Sequence, residues 1–217
     1  MTASDTLLRR LEQDSSLAAA LVWPGDFDID RRDPIEDLVL PTGRPLRPVA
    51  GCGAGGTYFL CGEAEAEERP VLYADSEGQA TLIGANLVEA ITLIAVLPFW
   101  RDLAKGLAIS ELGSDLRADH PDFDAERDRL LHALGLAPTS EEEAAARLLA
   151  AAARTTPNYV PRVPDDNYLP YELLFPSALH NEASTWIHGS VTHRSGTQHH
   201  PGTEKNQGPD PEESDPI

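Results

Sequence analysis

The chain has 217 residues, 41% hydrophobic and 6% aromatic, which suits one ordinary globular domain plus a tail. Its net charge of −19 argues against direct nucleic-acid binding and against adhesion to an anionic membrane, because both need clustered Lys and Arg. The same charge favours solubility and attraction to a basic partner.

Ser4 or Asp5 is placed to cap a first helix, with Leu7, Leu8 and Leu11 on one face. Asp14 restarts a short helix that Pro24-Gly25 ends. Residues 26–34 are acidic and irregular. Leu38, Leu40, Leu46 and Val49 are apolar anchors in a segment broken by Pro41, Pro45 and Pro48, which suits a loop or an edge strand. Thr57-Tyr58-Phe59-Leu60-Cys61, Val71-Leu72-Tyr73-Ala74 and residues 79–83 read as three strands of a meander with two hairpins. Residues 62–68 form an acidic turn region between the first two, and Asp75-Ser76-Glu77-Gly78 carries turn chemistry.

Asn86 caps the next helix, with Glu89 as its reciprocal partner. Leu87, Ile91, Ile94 and Leu97 make one stripe, and Val88, Leu93 and Val96 fill much of the rest, so this helix is expected to be buried nearly all round. Pro98 interrupts it. Polar helices follow from Ser110. One carries Phe123, Leu130, Leu131 and Leu134 and stops at Gly135; another, Ala-rich, starts from a Ser140/Glu143 capping box. Tyr159-Val160 and residues 168–175 offer short strands, the second demoted by Pro170. The domain is expected over 1–178. A polar, His-rich tail, mostly disordered, is expected over 179–217.

The run 51–56 satisfies the Gly-x-Gly-x-x-Gly spacing of dinucleotide sites. That motif holds a pyrophosphate only when a helix follows it. Here β-forming residues follow and no basic residue lies near, so the run reads as a loop needing positive φ or close backbone approach. Cys52 and Cys61 have no histidine close in sequence, and no Gly-x-Ser-x-Gly elbow occurs. Two cysteines are too few for a disulfide framework, although a pair beside strands can bridge a hairpin. His199 and His200 lie in the tail, and His120 and His132 are isolated, so no metal site is expected. No signal peptide is visible, and the apolar stretch 87–97 is about half the roughly 20 residues that span a bilayer. These features place the protein in the cytoplasm with reduced thiols. Asp75 and Glu77 at their turn, and Trp100 beside Arg101-Asp102, are the candidate partner-binding residues. A core-edge role competes for the tryptophan, and a plain turn role for the acids.

Gly53-Ala54-Gly55-Gly56-Thr57-Tyr58-Phe59-Leu60, then Pro70-Val71-Leu72-Tyr73-Ala74-Asp75-Ser76-Glu77-Gly78, then Leu97-Pro98-Phe99-Trp100 closing an apolar helix, together resemble the SUKH superfamily. The resemblance covers about residues 50–105. It implies an α+β fold with a mixed sheet and no catalytic residues. It also implies a role as an immunity protein of a bacterial polymorphic toxin system, or as a regulatory binding protein. The chain departs from that pattern in its helical region 110–153 and its His-rich tail.

The sequence therefore predicts an α+β protein with a small, mostly antiparallel or mixed sheet packed with helices. It predicts a non-catalytic protein without cofactor, whose partner is a protein, such as a basic toxin domain. The alternatives are a hydrolase or transferase with a site assembled from distant residues, and a scaffold that uses its tail.

Overall fold

Four strands consecutive in sequence make an antiparallel meander: β1 (Leu46–Gly51), β2 (Thr57–Cys61), β3 (Val71–Ala74) and β4 (Gln79–Gly84). They are seen in a computed structural model that describes residues 2–63, 69–165, 167 and 169–176. A fifth strand, β5 (Glu172–Leu173), adds parallel to β4, giving the order β1-β2-β3-β4-β5. The fold is α+β with a mixed sheet, as the residue patterns imply. The proline-broken segment is itself a strand, so the meander has three hairpins rather than two. Pro48 is tolerated because β1 pairs with a strand on one side only, an isolated Asp28 bridge meeting Gly51 on the other, and because it bulges between Pro48 and Ala50. Tyr159 and Val160 form no strand; two residues on, Arg162 makes an isolated bridge to Val39.

All five residues of β2 and all four of β3 are buried, which explains their lack of polar alternation. Tyr58, Leu60, Val71, Tyr73 and Ile83 face one apolar cluster. Phe59, Cys61, Leu72, Ala74 and Leu82 face a second, shared with Leu40 and Tyr159. Both faces of the sheet are therefore covered.

The first cluster is closed by helices α1 (Ala3–Gln13), α2 (Ser15–Val22), α3 (Leu87–Val96), α5 (Phe123–Leu134) and α6 (Glu141–Ala152), with α4 (Ile109–Asp119) beside α5. Helix α1 begins two or three residues earlier than Ser4 or Asp5 would place it. Thr2 is its cap: Thr2 Oγ1 accepts from the Asp5 amide and Asp5 returns the bond to the Thr2 amide, both at 3.1 Å. Ser4 is thereby freed, and its Oγ accepts from the Leu87 amide at the head of α3, 3.2 Å away. Asn86 caps α3 as expected, but the Glu89 carboxylate accepts from the Ala85 amide (2.8 Å) rather than from Asn86. From Ala90 to Val96 every residue of α3 is buried. Beyond the reach of β5, the Leu82 amide on β4 donates to Thr155 Oγ1 at 2.9 Å, so this buried group is satisfied by a side chain. The expected disordered tail, 179–217, and most of the acidic turn 62–68 lie outside the described residues.

Candidate binding face at one end of the sheet

Alternate hairpins return to the same end of a meander, so the β1–β2 loop and the β3–β4 turn lie side by side. The two motifs singled out in the sequence meet here. Ser76 Oγ donates to the Ala54 carbonyl at 3.1 Å. The glycine run is a hairpin loop, and Thr57 opens a strand, so no helix N-terminus exists to hold a phosphate. Gly55 takes φ +87, and a Cβ on Gly56 would sit 2.6 Å from Cζ of Tyr73. Positive φ thus claims Gly55, and close approach claims Gly56 and also Gly51, whose Cβ would lie 2.7 Å from the Arg31 carbonyl oxygen.

Asp75 is half-buried, and its Oδ1 accepts from the amides of Glu77 (2.9 Å) and Gln79 (2.8 Å). That is an Asx turn, so Asp75 shapes the hairpin and contributes charge to its tip. Glu77 is exposed. A strap of residues 34–38 crosses beside the two loops, tied to the C-terminal segment by the reciprocal Val39–Arg162 backbone bonds of 2.9 and 3.0 Å. The strap brings Ile35, 67% exposed, over Gly55 and Ser76. It also brings Glu36, whose Oε2 accepts from Tyr171 Oη at 2.8 Å. Burial raises the Tyr171 phenol above its ordinary value, and the Glu36 hydrogen bond, with the charges of Glu36 and Asp75, raises it further. Between the 76–78 turn and residues 169–171 opens a cavity of about 270 Å³, lined by Glu36, Glu77, Val163, Leu169, Pro170 and Tyr171 among others. Leu169 is 86% exposed at its edge.

Trp100 is not part of this face. It has 0% exposure, meets Tyr73 edge-on at 5.1 Å and stacks on Phe175 at 6.4 Å. A ring without surface cannot touch a partner, so the candidate partner contact is corrected to a core residue. Its neighbour Arg101 is the polar counterpart. Arg101 Nη2 pairs with Asp26 Oδ2 at 2.6 Å, and the guanidinium lies over the Tyr73 ring at 5.7 Å. Asp26 Oδ1 accepts from the Gly53 amide at 2.7 Å, from a backbone at φ +53. Asp26 and Arg101 therefore clamp the glycine loop onto the core. Sequence reasoning missed the clamp because its members lie far apart in the chain.

Cys52 Sγ accepts from the Gly56 amide at 3.2 Å and lies 3.5 Å from Tyr73 Oη. Cys61 sits at the far end of the same hairpin, opposite Leu46, so the two thiols cannot bridge it and both are free. Burial pushes the Cys61 thiol up to about 12. Among the described residues no group of three or more His, Cys, Asp or Glu is placed to hold a metal. Among them, too, no helix is long and apolar enough to cross a membrane.

A second concavity, about 530 Å³, runs between α2 and α5 and is lined by Leu17, Trp23, Ile94, Phe123 and Leu130. Trp23, 66% exposed, stands at its rim against His120, with ring centroids 5.2 Å apart. No family model, curated protein or solved structure matches the chain.

Proposed function

We propose that this chain is a non-catalytic binding protein of the immunity type, which neutralises a basic toxin domain by covering it with the acidic end of its sheet. The observation that carries this reading is the placement of charge. Many of the described cations pair with acids elsewhere: Arg101 with Asp26, Arg117 with Asp124 and Glu141, Arg147 with Glu143. Glu36, Asp75 and Glu77 are in no ion pair among the described residues, and they surround the exposed Ile35 and Leu169. Unpaired acids around apolar anchors suit a partner that supplies the opposite charge and also buries the anchors. The resemblance to SUKH proteins points the same way.

The enzymatic alternative draws on the one place where distant polar residues converge, the Cys52–Tyr73–Arg101–Asp26 cluster. There the thiol is 2% exposed, and each of its neighbours holds the glycine loop or the core. Both features favour a structural clamp over a reaction centre.

Co-production with any toxin that a neighbouring gene encodes tests the proposal. The native chain is expected to protect the cell and bind the toxin domain. The Glu36→Lys/Glu77→Lys chain is expected to lose protection, with affinity at least about tenfold weaker, or about 1.4 kcal/mol. The difference should narrow as salt rises. Equal protection by the charge-reversed chain, with its thermal midpoint unchanged, would sink the proposal.

A further inference from the structure

Resting on that reading, we infer that the cavity between the β3–β4 turn and residues 169–171 receives an arginine side chain of the partner, with an apolar neighbour of that arginine packing on Leu169 and Ile35. Four features of the cavity select this occupant. First, among the described residues the charged groups that line it are Glu36 and Glu77, and no cation does. Second, the Glu77 carboxylate has no hydrogen-bond or ion-pair partner among the described residues, and Glu36 uses one oxygen, Oε2, for Tyr171. Open carboxylate acceptors therefore line the space. Third, the remaining walls are Val163, Leu169, Pro170 and the Tyr171 ring, which suit the three-carbon stem and the flat guanidinium face. Fourth, Leu169 (86% exposed) and Ile35 (67% exposed) are large apolar side chains left in water within reach of the same acids. A planar fork answers two carboxylates better than the point charge of lysine. The cavity, at about 270 Å³, has room for such a side chain.

The test uses the full chain, labelled with nitrogen-15, and two blocked dipeptides: acetyl-Leu-Arg-amide and acetyl-Leu-citrulline-amide. Citrulline keeps the shape of arginine and lacks its charge. The arginine peptide is expected to give saturable amide shifts at Ser76, Glu77, Gly78, Leu169 and Tyr171. The citrulline peptide is expected to bind at least tenfold more weakly. Glu77→Gln should abolish that discrimination, whereas Leu169→Ser should weaken both peptides alike. Equal binding of the two peptides, shifts centred elsewhere, or no saturable shift would overturn the inference. Its failure is separable from failure of the binding reading. If charge reversal weakens the toxin complex while the dipeptide moves nothing, the face binds and the arginine cavity is wrong. If charge reversal leaves the complex intact, the binding reading itself falls.

Discussion

Trp100→Ala is expected to destabilise the protein by about 3–5 kcal/mol, the range for a large aromatic removed from a packed core. The ring is fully enclosed between Tyr73 and Phe175, and its neighbours Leu97 and Leu103 are buried in the same cluster. Its indole nitrogen has no hydrogen-bond partner among the described residues, so the loss is one of packing and not of a polar contact. Trp100→Phe should consequently cost much less, because it keeps a ring in the space and removes an unsatisfied N–H. The control is Trp23→Ala. That residue is 66% exposed, and its removal is expected to change stability by no more than about 0.5 kcal/mol. Urea unfolding of the three variants measures this directly. A Trp100→Ala cost near that of Trp23→Ala would return Trp100 to the surface.

Gly56→Ala is expected to cost about 1–3 kcal/mol, the penalty for forcing an atom into a filled space. Its Cβ would lie 2.6 Å from Cζ and 2.7 Å from Cε2 of Tyr73. Tyr73 cannot yield easily, since it is held by Trp100 on one side and Tyr58 on the other. Gly53→Ala, two residues before Gly55 in the same loop, should cost within about 0.5 kcal/mol. A Cβ there meets only Asp26 Oδ1 at 3.4 Å, and the amide that Asp26 needs is retained. The spacing alone does not separate these glycines; the packing does. Equal tolerance at both positions, read from thermal midpoints, would contradict the placement of Tyr73 under the loop.

The parts of the fold that follow from local chemistry were legible in the residues. The strands at Thr57–Cys61 and Val71–Ala74 carry runs of β-formers between turns, and both appear where the sequence puts them. Asn86, Ser140 and Gly135 mark helix ends through hydrogen bonds and φ values that those residue types favour. Strand β1 was half-hidden because Pro41 and Pro45 precede it and Pro48 lies within it, and its edge position makes Pro48 acceptable. The α1 cap was misplaced because Thr2, Ser4 and Asp5 all have capping side chains. The deciding fact is that Asp5 stands three residues after Thr2, the capping-box spacing.

The binding face was legible only in part. Asp75 and Glu77 announce a charged turn. Ile35, Glu36, Leu169 and Tyr171 carry no local signal, because single apolar or acidic residues in irregular segments are ordinary. They reach the turn through the Val39–Arg162 bridge and the pairing of β5 with β4, contacts between segments far apart in sequence. Trp100 failed as a surface residue for the same reason. An aromatic beside Arg101-Asp102 reads alike at a core edge or an interface, and Phe175, which closes over it, lies far along the chain.

Amide hydrogen exchange on the chain alone and in complex with a basic toxin domain that it is found to bind tests the central claim most directly. Binding through the acidic end predicts new protection at residues 33–38, 53–56, 75–78 and 169–173, and little change elsewhere. Protection concentrated instead along α2 and α5, around Trp23, would show that the partner sits in the other groove and would contradict the account.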